Sequence, residues 1–199
     1  MEIILGSGSP RRRIILEGIF GPVRVISPSV DESLLKDEPA YDYTGRITNL
    51  KMDAVLSGLN LSESGCIITS DTIVSIDDKI LGKPVSEDDA VSMLRMLSGK
   101  EHSVITGVSL VFKNGYDHAR FYGCETTSVK FKKLNDDTIR NYLGKVNYSD
   151  KAGSYAIQES GDILVDSITG SMTNVIGFPL RLFFRIINNS GMAEFVLGK

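Results

Sequence analysis

The chain has 199 residues, 42% of them hydrophobic and 24% charged, with a formal net charge of −3, so it has the length for one domain (1–199) with a sizeable core, in one lobe or two. Slight acidity disfavours duplex nucleic acid, which needs a broad basic surface, and Cys66 and Cys124 lie far apart with no CxxC or Cys/His spacing for structural zinc. No apolar run reaches membrane-spanning length and the first residues lack a signal-peptide apolar region, so the expected setting is the cytoplasm, with two buried reduced thiols and no membrane partner.

Helical and strand periods alternate, which predicts an α/β or α+β fold. Ile3-Ile4-Leu5 reads as a buried strand leading to a helix that begins at Pro10, with Ser9 placed to cap it and Gly21-Pro22 to end it. A second strand spans about Val23 to Ile26. After Pro39 a helix sets Tyr43, Ile47, Leu50 and Ala54 on one face. Cys66–Thr69 and Thr72–Ile76 read as strands, with a turn at Asp77-Asp78 before Ile80-Leu81. Ser86 caps a helix with the stripe Ala90, Met93, Leu94 and Leu97, stopped by Gly99. Alternating runs cover Val104–Phe112 and Thr126–Phe131, with a turn signal at Asn114-Gly115 in a connection too long for a minimal hairpin. A short helix spans Asp136 to Leu143. The glycine-rich stretch from Lys151 to Pro179 reads as loop and short strand, and a last helix carries Leu182, Phe183 and Ile186.

Ser7-Gly8-Ser9-Pro10-Arg11-Arg12 is the most informative segment. A helix N-terminus offers unpaired N–H groups and partial positive charge. Two serine hydroxyls and adjacent arginines beside it suit a polyphosphate, although a capped surface helix with a solvated basic turn has the same pattern. Asp71, at the end of an apolar run, is a candidate metal ligand or base, or a turn-forming aspartate. Glu32, in Asp31-Glu32, is a second carboxylate that could share a Mg²⁺ with it, or belong to a solvated acidic pair. Lys51, on the margin of an apolar stripe, either snorkels or points into a site. Lys83, held in Gly82-Lys83-Pro84, suits a phosphate but is also an ordinary loop lysine. His102 and His118 are too isolated for a metal site, and His102 reads as a structural hydrogen-bonding residue. No GxSxG, GxGxxG or GxxxxGK[ST] is present, which counts against a hydrolase triad, a dinucleotide fold and a P-loop.

In order along the chain these segments resemble the Maf family of nucleoside triphosphate pyrophosphatases. The resemblance runs from Ser7-Gly8-Ser9-Pro10-Arg11-Arg12 through Asp31-Glu32, Arg46 with Lys51, and Ser70-Asp71-Thr72-Ile73-Val74. It continues through Gly82-Lys83-Pro84, Leu97-Ser98-Gly99 and His102–Val108. Asp150–Gln158, Ile168-Thr169-Gly170-Ser171 and Asn174–Pro179 complete it. Ser70 stands where alanine or glycine is frequent, and Phe178 where leucine is frequent.

The resemblance implies a two-lobed, mixed-sheet α/β fold like that of inosine triphosphate pyrophosphatases, with the active site in a central cleft. It implies Mg²⁺- or Mn²⁺-dependent hydrolysis of a small-molecule nucleoside triphosphate to a monophosphate and pyrophosphate, with modified nucleotides among the substrates to test. The family's functional positions fall on Ser7, Arg11, Arg12, Glu32, Lys51, Asp71, Lys83 and Gln158. Thr72 and Gln158 look like the subgroup acting on dTTP and UTP. In the mechanism this suggests, Glu32 and Asp71 hold the metal, the cations neutralise leaving pyrophosphate, Ser7 and Ser9 position it, and Gln158 meets the base. Alternatives are a pyrophosphatase for 7-methyl-GTP or other modified nucleotides, and a non-catalytic nucleotide-binding regulator of cell division. A homodimer is expected by resemblance only.

Overall fold

The computed structural model describes residues 2–59, 65–114 and 117–194. Strand β1 (Glu2–Gly6) pairs in parallel with β2 (Arg24–Val25) and with β3 (Gly65–Ile76), Ile4 standing opposite both Arg24 and Ile67. Parallel neighbours require crossovers, and α1 (Pro10–Phe20) and α2 (Ala40–Ser57) supply them. A sheet covered on both faces needs apolar side chains in both directions. Ile3, Leu5, Cys66 and Ile68 accordingly join Leu16 of α1, while Ile4 and Ile67 join Met52 and Val55 of α2.

Asp77 and Asp78, both with positive φ, turn β3 into the antiparallel β4 (Lys79–Leu81). Helix α3 (Glu87–Leu97), strands β5 (Glu101–Asn114) and β6 (Asp117–Phe131), and α4 (Asp136–Leu143) follow. A single 3₁₀ turn, Ala152–Ser154, then precedes α5 (Gly161–Leu164), β7 (Val165–Thr169), α6 (Met172–Ile176) and α7 (Leu180–Asn189). The sheet is mixed, with strand order β2-β1-β3-β5-β6-β7 and β4 beside β3.

The chain forms two compact units. The first comprises Met1–Asp71, Thr106–Glu125 and Gly177–Lys199, and the second Thr72–Ile105 and Thr126–Ile176. In the first, Phe178, Leu182, Phe183 and Ile186 pack with Val108, Leu110 and Phe112. In the second, Ala90, Leu94 and Leu97 of α3 pack with Ile139, Tyr142 and Leu143 of α4 and with Val104, Val129 and Phe131. Among the described residues no helix is long and apolar enough to cross a membrane.

Several expectations are corrected. The strand through Asp71 is continuous from Gly65 to Ile76, because buried Ser70 and Asp71 interrupt the apolar pattern but not the extended backbone. Strand β6 begins at Asp117, its first half being a half-exposed run without clean alternation. The proposed turn at Asn114-Gly115 falls on Gly115, outside the described residues. Ser9 stands at the N-cap of α1 but makes no capping bond with its side chain. The stretch from Lys151 to Pro179 contains the short helices α5 and α6 as well as β7. Tyr43 and Ile47 of the expected α2 face are buried but Leu50 is exposed, and the rest of the buried face is Thr44, Thr48, Met52 and Val55. Thr44 satisfies its own hydroxyl by donating to the Ala40 carbonyl, so a polar residue can occupy the core side of the helix. Both cysteines are free, Cys66 buried and Cys124 only half-buried; burial pushes the Cys66 thiol up to about 12.

Candidate active site

The strand–helix corner of the first unit organises the basic segment. Beyond Gly6, the Ser7 hydroxyl oxygen accepts the Ser9 N–H at 3.3 Å and Arg12 Nη1–H at 2.9 Å. Arg12, in the first turn of α1, is only 8% exposed, and its Nε donates to the Gly177 carbonyl at 2.8 Å. Gly177 has φ 115°, a conformation that a residue with a Cβ rarely adopts. Burial lowers the Arg12 pKa to about 10; Asp71 and Glu32 oppose the shift and Arg11 adds to it. The guanidinium therefore stays charged at neutral pH. Arg11 is half-buried beside it, whereas Arg13 is exposed and paired with Glu17.

Side chains alternate along a strand, so Thr69 and Asp71 share one face of β3. The Thr69 hydroxyl donates to the Thr48 carbonyl of α2 at 3.0 Å, which turns that face toward α2. Lys51, one turn beyond Thr48, meets Asp71: its Nζ donates to Asp71 Oδ1 at 2.6 Å and lies 2.8 Å from Glu32 Oε1. The Lys51 side chain is 12% exposed, so it does not snorkel. The β1 ladder ends at Gly6 opposite Thr69, leaving Asp71 beyond its last pair.

The structure thus brings Ser7, Arg12, Glu32, Lys51 and Asp71 together in the first unit, with Ser9 and Arg11 on the same corner. Sequence reasoning missed how two α2 side chains, Tyr43 and Arg46, hold Glu32's loop. Tyr43 Oη donates to the Glu32 carbonyl at 2.8 Å, and Arg46 binds Glu38 and the Ser33 carbonyl. Burial, then Asp71 and Glu32, raise the Tyr43 pKa to about 12, which keeps its hydroxyl protonated. The available signals were a tyrosine two helical turns before Lys51 and opposite charges at Glu38 and Arg46.

Thr72, Lys83 and Gln158 belong to the second unit. Thr72 is half-buried in β3, and Lys83 is exposed. The loop bearing Lys83 is tied by Gly153 N–H donating to the Gly82 carbonyl at 3.0 Å. Gly153 has φ 67°, and an added Cβ would lie 2.9 Å from Val74 Cγ2. Gln158 is exposed in the turn after Ala156, whose N–H donates to Tyr142 Oη at 2.9 Å. His102 lies within β5, and its Nε2 shares a 2.8 Å hydrogen bond with Tyr155 Oη, the structural role expected for it.

Among the described residues no group of three or more His, Cys, Asp and Glu side chains gathers at one point. Glu32 and Asp71 form the relevant donor set: two carboxylates already converging on one positive group.

A family model described as Maf-like protein matches residues 2–190. The chain belongs to the Maf family. Among its relatives is the dTTP/UTP pyrophosphatase of Thermosipho melanesiensis, 40% identical over 187 residues, covering 94% of this chain and 97% of that protein. The dTTP/UTP pyrophosphatase of Clostridium perfringens strain 13 is 38% identical over 194 residues, covering 95% and 97%. The structure of the Staphylococcus aureus Ham1 protein aligns with TM-score 0.51 at 13% identity, over 96% of this chain and 100% of that one. That likeness establishes the mixed α/β fold expected from the family resemblance.

Proposed function

We propose that this Maf-family chain is an enzyme hydrolysing dTTP and UTP to the monophosphate and pyrophosphate. The observation that carries the chemistry is the Lys51 ammonium held by Glu32 and Asp71 in the unit that also holds Ser7 and Arg12. The names of the relatives support the choice of substrate and product.

Two hard oxygen donors gathered around one positive group fit a divalent cation, and Glu32 and Asp71 would hold Mg²⁺ or Mn²⁺. When bound, the ion draws negative charge from the phosphate oxygens. Asp71 takes the proton of the water that attacks the α-phosphorus. The bond from that phosphorus to the bridging oxygen breaks, and the electron pair leaves with pyrophosphate. Arg11, Arg12 and Lys51 meet the charge that grows on the leaving group. Ser7, Ser9 and the N–H groups opening α1 position it. For the second unit, the family resemblance supports Lys83 as a further cation, Thr72 as a substrate-binding residue and Gln158 as the reader of the base. An amide offers both a donor and an acceptor to the imide edge of uracil or thymine.

Incubation of UTP, dTTP, CTP, GTP and 7-methyl-GTP with Mg²⁺, read by phosphorus NMR, tests this reading. UTP and dTTP should give pyrophosphate fastest. Gln158→Glu should lower kcat/KM selectively for those two, by about tenfold, because a carboxylate cannot donate to O4. Release of orthophosphate, or equal losses on every base, would contradict the proposal.

A further inference from the structure

Residues 26–39, which carry Glu32, contain no helix or strand and are largely exposed. Such a segment has little apolar burial with which to hold one conformation. Its hydrogen bonds to α2 are concentrated on two side chains. Tyr43 Oη donates to the carbonyl of Glu32 itself at 2.8 Å. Arg46 Nη2 donates to the next residue's carbonyl, Ser33, at 2.9 Å. The same guanidinium grips Glu38 with two parallel bonds, Nε to Oε1 and Nη2 to Oε2, both 2.6 Å. Glu38 also accepts the Leu35 N–H at 3.2 Å, which closes the turn at the far end of the segment. The Arg46 guanidinium lies 5.4 Å from the centre of the Tyr43 ring, so the two side chains support each other.

Tyr43 and Lys51 lie two helical turns apart on α2. One helix therefore holds the Glu32 backbone through Tyr43 and its carboxylate through Lys51. We propose that Arg46, Glu38 and Tyr43 form a clasp whose task is to set the position of Glu32, making them positioning residues for the pyrophosphatase reaction. The proposal rests on the function proposed above. A bidentate arginine is needed because two acceptors on different residues, Ser33 and Glu38, must be held at once, which a lysine ammonium cannot do in the same geometry.

The test combines UTP hydrolysis by Arg46→Ala, Glu32→Gln and the double variant with amide hydrogen exchange of the substrate-free, metal-free protein. Partners that orient a metal-holding side chain are worth roughly 10–100-fold when removed. Arg46→Ala is expected to lower kcat about tenfold with little change in KM. Exchange in residues 29–37 should accelerate about tenfold or more while the core of α2 keeps its protection. In the Glu32→Gln background, Arg46→Ala should produce almost no further loss, since the group it positions is already gone. Glu38→Gln, which leaves α2 intact, serves in the same way should Arg46→Ala fail to fold. The clasp is overturned if either variant keeps the wild-type kcat while Glu32→Gln is impaired, or if the losses in the double variant multiply. Wild-type turnover by Glu32→Gln would instead bring down the assignment of Glu32, and the clasp's role in catalysis with it.

Discussion

Lys51 balances part of the negative charge of Glu32 and Asp71, so removing either carboxylate changes the charge at the other. Asp71→Asn leaves the size of the side chain unchanged but removes a charged oxygen donor and a proton acceptor. In the proposed reaction it should lower kcat by at least about 10²-fold with an unchanged circular dichroism spectrum. A folded Asp71→Asn protein with near wild-type kcat would contradict the role. Arg12 is joined at Nε and at Nη1 to two different acceptors, Gly177 and Ser7. Arg12→Ala should lower kcat/KM for UTP by about 10²-fold, with kcat falling as well as affinity, because the charge it meets is largest in the transition state. Arg12→Lys should not rescue it, since an ammonium lacks the planar fork; a change confined to KM would indicate uniform ground-state binding. The basic corner was legible because serines, proline and arginines sit together in sequence at a strand–helix junction. The meeting of Glu32 with Asp71 was not legible, because a loop carboxylate and a strand carboxylate come together only through a lysine on a third element. The clasp was hidden for a related reason: Tyr43 reads as one more aromatic in an apolar stripe until its hydroxyl partner is known.

At the scale of elements, periodicity located most helices and strands but drew the edge of one helix face wrongly, at Leu50. Counting apolar residues on α2 puts Leu50 inward, yet it is 37% exposed while Met52 is fully buried. The count fails because two inward positions, Thr44 and Thr48, are threonines, and hydrophobic patterning treats them as surface. Met52→Ala should therefore cost about 2–5 kcal/mol of unfolding free energy, and Leu50→Ala less than about 1 kcal/mol. Urea denaturation of the two variants checks this, and equal losses would return Leu50 to the buried face. Orientation of α2 matters for function, because the rotation that buries Met52 also carries Lys51 to Asp71. Strand β3 shows the complementary difficulty. Its first half was legible as Cys66–Thr69 and its second as Thr72–Ile76, since both are apolar. The buried Ser70 and Asp71 between them looked like a strand end because polar residues in a core strand are rare unless they serve a site.

At the scale of the whole molecule, stability acquires a pH dependence from a buried histidine in the second unit. His102 is 3% exposed, hydrogen-bonded through Nε2 to Tyr155 Oη, and packed edge-on against the rings of Phe131 and Tyr155. Its Nδ1 is buried without a protein partner. Burial disfavours the imidazolium and lowers the pKa from its ordinary 6.5 to about 4. Between those two values the unfolded chain binds a proton that the folded chain does not, so acidification favours unfolding. The contribution of His102 is complete above about pH 6.5, declines as pH falls through that value, and is exhausted near pH 4. Its full size is about 3 kcal/mol, taking 1.36 kcal/mol for each pH unit of displacement. Carboxylates also titrate toward the acid end of this window, so the informative range is pH 6.5 to 5, and the comparison is with His102→Gln, which carries no proton in either state. Urea unfolding across that range should show wild-type stability falling with pH more steeply than that of His102→Gln. Parallel curves for the two proteins would mean that the imidazole takes up its proton as readily in the fold as outside it.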